Sequence, residues 1–309
     1  MQLYRSVDGI PAASVSRVVA IGVFDGLHIG HCQLIAETSA LAHARGARST
    51  ILTFEPMPRE YLSPENPPAR LTSFRERFEL IRAMKIDELC CLPFAAVQQL
   101  DSDAFIDSLL VGRLMASAII IGDDFRFGRG RQGTAEDLTE ASRMRDFDVR
   151  QIAPIARDGV RISSTAVRLA LGRGDLAAAR SMLGRDYSIS GKVVHGLALG
   201  RKLGFPTANI ALRRRVVALA GIFAVRAIVD GHAFDGVASL GTRPTIGGDR
   251  NLLEVHLFDY SGDLYGRRME VRFIEHLRAE EKFEDLDAMR EQMQLDAAAA
   301  RAALRTAMP

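Results

Sequence analysis

The first half of the chain alternates short apolar runs with longer segments whose apolar residues recur at helical spacing. The apolar runs predict buried strands at residues 17–21, 49–54, 88–94, 116–122 and 149–155. The amphipathic segments predict helices at residues 31–45, 73–85, 103–114, 134–146 and 164–171. Because strands and helices alternate, we expect this half to be an α/β domain with a parallel sheet covered on both faces.

The pattern changes near Tyr187. Short strands are predicted at residues 187–194, 223–229, 233–239, 252–258 and 269–273. Turn dipeptides such as Asp230-Gly231 separate some of them, which predicts an antiparallel barrel or sandwich. An Ala-rich helix is predicted over residues 284–308. The change of period divides the chain into one domain at 1–186 and a second at 187–309.

Length and composition agree with that division. A chain of 309 residues is long enough for about two domains. Its 40 Lys and Arg residues nearly balance its 38 Asp and Glu residues, and a net charge of +2 does not favour nucleic acid or an anionic membrane as a partner. Only four of the cations are lysines, namely Lys85, Lys192, Lys202 and Lys282. The excess of arginine is most simply a bias of genome composition.

Neither the N-terminus nor the cysteines indicate secretion. The first 13 residues lack the apolar core of a signal peptide, and no run reaches the ~18 apolar residues of a membrane span. Cys32, Cys90 and Cys91 are odd in number and have no CxxC spacing, which suits a reducing compartment. The expectation is a soluble, cytoplasmic protein.

A glycine-rich turn with two histidines follows the first predicted strand. Its candidate nucleotide-binding residues are Gly22, Phe24, Asp25, Gly26, His28, Gly30 and His31. Glycines let the backbone approach a ligand, and the free N–H groups at the start of the next helix suit phosphate. The two histidines could donate hydrogen bonds to phosphate oxygens and stabilise charge that builds up during transfer. The alternatives are a structural turn capped by histidines and a metal site, which is disfavoured because Cys32 directly follows His31 and points around the helix.

Two further segments of this domain suit a nucleotide or a similar ligand. Arg161, Ser163, Ser164, Thr165 and Arg168 lie just before and within a predicted helix, where hydroxyl and N–H groups could grip a pyrophosphate. An ordinary N-cap is the alternative.

The second segment follows the strand at 116–122, at the edge where open α/β sheets bind ligands. Its candidate residues are Asp124, Phe125, Arg126 and Phe127. Two aromatic rings flanking an arginine suit a planar ring with a phosphate tail. The alternative is a loop that is simply anchored by phenylalanine.

The second domain has a glycine-rich segment of its own. Its candidate ATP-binding residues are Gly191, His195, Gly196, Gly200, Lys202, Gly204, Phe205, Pro206, Thr207 and Asn209. Thr207 and Asn209 share one face of an extended segment, and their neutral oxygens suit Mg²⁺ bound to ATP. The segment is not a Walker loop, since GxxxxGK[ST] is absent. A long surface loop is the alternative.

Glu254 lies in the strictly alternating stretch 251–258, on the face opposite Leu253 and Val255. A carboxylate on a strand that faces a cavity could accept a hydroxyl proton during phosphoryl transfer. A solvated, outward-facing glutamate is the alternative.

The stretch His28-Ile29-Gly30-His31 resembles the signature of the HIGH-type nucleotidyltransferases, which transfer the adenylyl group of ATP. Class I aminoacyl-tRNA synthetases, which need a lysine-rich second motif, are disfavoured because residues 1–186 contain one lysine. The whole chain resembles the prokaryotic bifunctional riboflavin kinase/FMN adenylyltransferases, also called FAD synthetases. The motifs that carry the resemblance are the HIGH turn, the segments 122–128, 163–168, 204–209, 241–245 and 263–266, and Glu254.

The resemblance implies a Rossmann-like nucleotidyltransferase domain followed by a Greek-key β-barrel flavokinase domain with a terminal helix. It implies that riboflavin is phosphorylated to FMN by MgATP, and that FMN is then adenylylated by a second ATP to give FAD and pyrophosphate. In the kinase domain Glu254 would activate the riboflavin hydroxyl, Thr207 and Asn209 would hold the metal and phosphates, and Arg278 and Glu281 would border the flavin.

In the first domain the resemblance assigns the ATP phosphates to His28, His31, Ser164, Thr165 and Arg168, and FMN to the loop 124–127. Two residues depart from the family pattern. Met57 stands where histidine is usual and cannot donate to phosphate. Asp124 stands where asparagine is frequent and would repel the FMN phosphate unless Arg126 neutralises it.

These departures motivate one alternative, a monofunctional riboflavin kinase with an impaired adenylyltransferase domain. A second alternative is a non-catalytic flavin sensor or RNA-binding regulator, against which the balanced charge of the first domain argues. The expected partners are riboflavin, FMN and ATP, without nucleic acid or membrane, and a transient homo-oligomer is left open.

Overall fold

The computed structural model describes residues 1–11, 15–157, 159–196, 200, 203–243 and 250–306. The chain groups into two compact units. The first consists of Met1–Pro68 and Phe74–Ser163, and the second consists of Ala69–Ser73 and Ser164–Pro309.

The first unit is built on a parallel sheet. Its strands are β1 (Gln2–Tyr4), β2 (Arg17–Ile21), β3 (Arg48–Phe54), β4 (Glu88–Leu92), β5 (Ala116–Gly122) and β6 (Asp148–Ile152). They are ordered β1-β4-β3-β2-β5-β6, and each pairing is parallel. The chain runs from β2 towards one edge and then returns to place β5 on the other side of β2. The carboxyl end of β2 is therefore at the point where strand order reverses, which is where open α/β sheets bind ligands.

Helices connect these strands. They are α1 (Ile29–Arg45), α2 (Pro58–Leu62), α3 (Phe74–Ala83), α4 (Phe94–Val97), α5 (Ser102–Ala104), which continues as a π-helical segment (Phe105–Arg113), and α6 (Ala135–Arg145). The hairpin β7 (Ala156–Arg157) and β8 (Val160–Arg161) follows β6.

The sheet separates two hydrophobic clusters. In β2, Val19 and Ile21 belong to one cluster, whereas Val18 and Ala20 belong to the other. Successive side chains of a strand point to opposite faces, so a strand that is buried on both faces is apolar throughout.

The second unit contains a closed antiparallel barrel. Its strands are β9 (Ser188–Val194), β10 (Ala208–Ile210), β11 (Gly221–Val229), β12 (His232–Arg243), β13 (Arg250–Leu257) and β14 (Arg268–Arg278). They are ordered β10-β13-β12-β11-β14-β9, and β9 pairs with β10 to close the barrel.

Among the described residues, the same unit contains the helices α7 (Ser164–Gly172), α8 (Leu176–Leu183) and α9 (Leu286–Thr306). The helix α9 covers the barrel with Ala300, Ala303 and Leu304, which pack in one cluster with Ala224 and Phe258. Small residues at these positions let the helix axis approach the strands closely.

The predicted fold class is confirmed: a parallel α/β sheet is followed by a closed antiparallel barrel and a C-terminal helix. The strand β1 and the helix α8 were not predicted, and β1 is too short to show a period. The predicted helix at 103–114 is mostly π-helical. The helix α7, predicted within the first domain, groups with the second unit, as does α8, while the boundary between 186 and 187 stays a prediction.

Within the described part of the chain, no helix combines the length and the apolar character needed to cross a membrane.

Two candidate active sites

The histidine turn lies between the carboxyl end of β2 and the start of α1. His28 is the N-cap of α1, and its Nδ1 accepts a hydrogen bond from the backbone N–H of His31 at 3.3 Å. Because Nδ1 accepts, the proton of the neutral His28 ring is on Nε2. The rings of the two histidines are stacked. The structure thus brings both predicted histidines together at a helix N-terminus, which favours anions.

His31 is held in its neutral form. Its pKa lies well below the ordinary value of 6.5 because burial disfavours the charged ring, and because His28 and Arg77 repel a positive charge. Among the described residues, Nδ1 of His31 is buried and has no hydrogen-bond partner. A buried polar atom in this condition costs free energy until a partner is supplied. The ring is therefore suited to bind a ligand.

The backbone of the turn has an unusual conformation. Phe24 and Leu27 have φ values of 54° and 41°, in the left-handed region that non-glycine residues rarely adopt. The Phe24 ring is fully buried, and its centroid lies 5.3 Å from that of His31. A β-carbon at Gly30 would lie 3.2 Å from Nδ1 of His28, so a larger residue there would require the His28 ring to shift. The predicted nucleotide residues from Gly22 to His31 thus form one compact turn.

The aromatic loop after β5 is anchored by packing. Phe127 is 5% exposed, its ring lies 5.3 Å from that of Phe105, and it stacks on Phe125 at 5.7 Å. Asp124 and Arg126 are exposed. Packing therefore accounts for Phe127, and the assignment of this loop to FMN stays a prediction.

Arg161 joins this loop to the β7–β8 hairpin. Its Nη2 lies 2.7 Å from Oδ1 of Asp123 and 3.7 Å from Oδ2 of Asp124. The cation beside Asp124 is thus Arg161, whereas the sequence suggested Arg126. An arginine at this distance reduces the repulsion that a carboxylate would exert on a phosphate.

Met57, the other departure from the family pattern, is 3% exposed. Its backbone N–H donates to Oε2 of Glu60 at 3.2 Å, at the start of α2. The residue therefore has a packing role.

The segment predicted to bind pyrophosphate lies at the start of α7. The helix begins at Ser164, directly after Ser163, and Thr165 and Arg168 follow in its first two turns. Nε of Arg168 donates to the backbone oxygen of Ala69 at 2.6 Å. The role of these four residues towards ATP stays a prediction.

In the barrel, one row of polar residues crosses three adjacent strands. Asn209 of β10 is paired with Glu254 of β13, which is paired with Ser239 of β12. Residues that are directly paired point to the same face of a sheet. Because Leu253 and Val255 on either side of Glu254 are buried, the row lies on the outer face of the barrel.

The row includes Asn209, one of the two residues predicted to hold a metal, and the other, Thr207, lies beside Glu254. Oγ1 of Thr207 lies 3.4 Å from Oε1 of Glu254, and Asn209 is 7% exposed. A β-carbon at Gly196 would collide with the side chain of Asn209, and one at Gly200 with the backbone oxygen of Phe205. Glycine at these two positions lets the chain approach Asn209 and Phe205 closely, and the binding of phosphates by this segment stays a prediction.

Ser239 of this row and its neighbour Glu280 were not predicted. Oγ of Ser239 donates to Oε1 of Glu280 at 2.9 Å, and a β-carbon at Gly241 would collide with the same carboxylate. Glu280 belongs to the stretch Leu277-Arg-Ala-Glu-Glu-Lys-Phe283, from which the sequence analysis chose the next residue, Glu281. Their contacts distinguish these two neighbouring glutamates, since Glu280 accepts from Ser239 whereas Glu281 pairs with Arg278.

Arg278 holds the chain that carries Glu280. Its guanidinium forms two hydrogen bonds to Asp296 of α9, at 2.8 and 2.7 Å, and its Nη1 lies 3.1 Å from Oε1 of Glu281. The side chains of Arg278 and Glu281 are therefore bound to each other and to α9. Their predicted contact with a flavin stays a prediction.

The rest of the glycine-rich segment is described in part. The His195 ring stacks on that of Tyr265 with centroids 3.8 Å apart, and Phe205 lies edge-on to His256. Gly204 has a φ of 88°. Gly191 and Pro206 lie in β9 and just before β10, respectively. Lys202, which was predicted to bind ATP, lies outside the described residues.

Across the described ranges, no group of three or more His, Cys, Asp or Glu side chains is arranged to hold a metal ion. The polar row instead offers a hydroxyl, an amide and a carboxylate oxygen. Hard oxygen donors in small number suit Mg²⁺ that is bound mainly through substrate phosphates.

The chain is similar to known proteins along its whole length. Residues 10–166 match the family model FAD synthetase, and residues 183–304 match the model riboflavin kinase. The bifunctional riboflavin kinase/FMN adenylyltransferase of Pseudomonas fluorescens is 41% identical over 304 residues, covering 98% of this chain and 97% of that protein. The protein of the same name from Escherichia coli K12 is 41% identical and covers 97% of both chains. A crystal structure of a macrolide-efflux protein from Streptococcus pneumoniae is 28% identical with a TM-score of 0.84, covering 97% of this chain and 98% of that one.

The two folds and their sites define a two-domain transferase in which a nucleotidyltransferase precedes a flavokinase. The chain belongs to the bifunctional riboflavin kinase/FMN adenylyltransferase family. The family resemblance and the expectation of an enzyme of FAD biosynthesis with both activities are thereby confirmed.

Proposed function

We propose that the outer face of the barrel phosphorylates riboflavin with Glu254 as the general base. The observation that supports this is the pairing of Glu254 with Asn209 across β10 and β13, with Thr207 3.4 Å from the same carboxylate. Glu254 accepts the proton of the 5′-hydroxyl while the hydroxyl oxygen attacks the γ-phosphorus of ATP. The bond between the γ-phosphorus and its bridging oxygen breaks, and ADP leaves.

Thr207 and Asn209 hold the nucleotide on one side of Glu254. The Thr207 hydroxyl and the Asn209 side-chain oxygen are the groups that would ligate Mg²⁺, which neutralises phosphate charge when it is bound with ATP. Burial of Asn209 under Gly196 fixes the orientation of its amide. These side chains therefore orient the γ-phosphate towards the base without forming a covalent intermediate.

The histidine turn carries out the second reaction. A phosphate oxygen of FMN attacks the α-phosphorus of a second ATP, and pyrophosphate leaves. His28 donates from Nε2 to phosphate oxygens, and the stacked His31 supplies a second imidazole at the N-terminus of α1. Hydrogen bonds of this kind stabilise the charge that develops at the transferred phosphorus.

The further residues proposed to bind ATP are those of the turn and of α7, and FMN is assigned to the loop 124–127. Arg161, one of the residues proposed to bind pyrophosphate, contacts Asp123 and Asp124. This contact supports the view that the ATP-binding residues and the FMN loop form one site. Riboflavin, FMN and ATP are the proposed partners. The charge balance of +2 supports the exclusion of nucleic acid.

We place the protein in the cytoplasm. Cys90 and Cys91 are buried, and neither they nor Cys32 form a disulfide bond. Burial and the nearby Glu88 carboxylate raise the pKa of the Cys90 thiol to about 12, which keeps it protonated and unreactive. Such cysteines suit a reducing compartment.

The test is chromatography of the flavins after the protein is incubated with riboflavin, ATP and Mg²⁺. The proposal expects FMN first and FAD later. Glu254→Gln abolishes FMN formation from riboflavin but still converts supplied FMN to FAD, and His28→Ala shows the opposite pattern. A protein that makes FMN but releases no pyrophosphate from FMN and ATP would be a monofunctional kinase. One that makes neither product would be the sensor or regulator.

A further inference from the structure

Arg77 of α3 is among the most buried side chains of the first unit. It is 1% exposed, although it carries a permanent positive charge. No motif in the sequence distinguishes it from the other arginines. Removing a guanidinium from water costs several kcal/mol unless nearby groups compensate, so its contacts are informative.

The guanidinium joins the carboxyl ends of two neighbouring strands. Nη1 donates to the backbone oxygen of Val23, just after β2, at 2.9 Å. Nη2 donates to the backbone oxygen of Phe54, the last residue of β3, at 3.5 Å, and to Oε2 of Glu55 at 2.7 Å. Val23 also accepts from Oγ1 of Thr53 at 3.3 Å. One side chain therefore connects the histidine turn to the start of the Glu55–Met57 segment.

We propose that Arg77 is a positioning residue for adenylyl transfer, which fixes the histidine turn relative to the end of β3. The inference rests on the proposed adenylyltransferase site and adds to it a residue that does not touch substrate. A planar fork with several donors can bind two carbonyl oxygens and a carboxylate at once, which a lysine cannot do.

The backbone shows how the effect reaches the histidines. Val23 precedes Phe24, whose φ of 54° is strained for a non-glycine residue and persists only because the surrounding structure enforces it. In a trans peptide the carbonyl and N–H groups point in opposite directions, so binding the Val23 oxygen also orients the N–H of Phe24. The Phe24 ring then packs against His31. Without the Arg77 hydrogen bonds, the Val23 carbonyl is no longer held. The Phe24 conformation that packs its ring against His31 then loses its support.

Charge provides a second route to the same histidine. The charged and titratable groups around His31 are His28 on the turn and Arg77 on α3, and Glu55 after β3 is bound to Arg77. The Arg77 guanidinium helps to lower the pKa of His31, after burial and His28. A neutral His31 ring can remain stacked on His28, so the lowering of this pKa by Arg77 agrees with the contacts described above.

Stability alone does not explain this arrangement. Within the described structure, Nε of Arg77 is buried without a hydrogen-bond partner, which a residue selected only for stability would avoid. The same sheet contains a matched comparison at its amino end, where Arg17 is also 1% exposed and its Nε lies 2.6 Å from Oε2 of Glu88. The Arg17 side chain contacts groups at the starts of strands, away from the histidine turn.

The experiment compares Arg77→Met, Arg77→Lys and the control Arg17→Met in the full-length protein. FMN adenylylation, riboflavin phosphorylation and thermal unfolding are measured for each, and NMR follows the titration of His31, assigned with His31→Gln. For Arg77→Met we expect kcat/KM of adenylylation to fall about a hundredfold, while phosphorylation changes by less than about twofold. Its His31 titration moves to higher pH, and Arg77→Lys restores the titration but not the rate.

Arg17→Met is expected to lower the unfolding temperature but to retain adenylylation at temperatures below its transition. The inference is wrong if Arg77→Met adenylylates FMN at the wild-type rate, or if its loss equals that of Arg17→Met at equal stability. It is also wrong if the His31 titration is the same in all variants. Wild-type protein that makes no FAD would instead refute the proposed function, so the two failures are distinguishable.

Discussion

The imidazole rings of His28 and His31 are stacked, with centroids 3.7 Å apart and planes inclined by 17°. Two positive charges at that distance would repel strongly, particularly beside the buried Arg77. At most one ring of the pair is therefore cationic before a nucleotide binds. Phosphates at the proposed ATP site would reduce this repulsion by supplying negative charge.

The first prediction concerns this pair and pH. The pKa of His31 lies below 6.5 in the folded protein, so the unfolded chain binds the proton more tightly. The neutral ring therefore contributes stability above about pH 6.5, and this contribution is lost as the pH falls below that value. We expect the unfolding temperature of His31→Gln to depend less on pH than that of the wild type between about pH 7 and pH 5. Equal slopes for both proteins would contradict the low pKa.

The second prediction concerns Thr207. Thr207→Val keeps the shape but removes the oxygen that lies 3.4 Å from Glu254. We expect the rate of riboflavin phosphorylation to fall at least about tenfold. The main cause is weaker binding of Mg²⁺ and ATP, because an interaction with the charged phosphates is lost. Adenylylation of supplied FMN is the internal control and should be unchanged. A variant that phosphorylates riboflavin normally would remove Thr207 from the proposed nucleotide site.

The third prediction separates two neighbouring glutamates. Glu280 accepts from Ser239 beside Glu254, whereas Glu281 pairs with Arg278. We expect Glu280→Gln to raise the KM for riboflavin by about tenfold, because a charged acceptor beside the base is replaced by a neutral amide. Glu281→Gln, the matched control, should change this KM much less. The opposite ranking would support the sequence-based choice of Glu281.

The fourth prediction concerns the anchor of that segment. Asp296 is 7% exposed and forms two hydrogen bonds with Arg278, and the pKa of Arg278 is raised chiefly by these bonds. Asp296→Asn leaves the guanidinium without its buried charged partner, and we expect the free energy of unfolding to fall by about 3 kcal/mol.

The control for Asp296 is Asp259→Asn, which alters an exposed pair with Arg301. Exposed ion pairs contribute little to stability, so denaturant unfolding should detect no clear change. Equal destabilisation by both variants would show that burial of Asp296 is unimportant.

The larger helices and strands could be predicted from the sequence because their repeating patterns of apolar residues extend over enough positions to be recognised. The helix α1, predicted over residues 31–45, ends at Arg45 and is capped by Gly46 with a φ of 62°. The strands β2, β3 and β5 lie where the apolar runs placed them. The three-residue strand β1 and the short strand β10 had no period to recognise, and neighbouring strands supply the hydrogen bonds that define them.

For the sites, the sequence named candidate residues whose roles stay predictions. The structure brings His28 and His31 together in one turn, pairs Asn209 with Glu254, and places Thr207 beside Glu254. The sequence reasoning missed Arg77, Ser239 and Glu280, since each acts through a residue that is distant in sequence. The distance from Arg77 to Val23 or Phe54 along the chain leaves no local pattern.

By itself, then, the sequence determined the order of the two folds and the family. It also showed a histidine turn in the first domain and a glutamate-bearing strand in the second. These are properties of periodicity and motifs, which are local. Only the tertiary structure decided that Arg161 lies beside Asp124, that Glu280 and not Glu281 contacts Ser239, and that a buried arginine connects β2 to β3. The register of strand pairing and the burial of charge decide such contacts, and both depend on residues that come together only when the chain has folded.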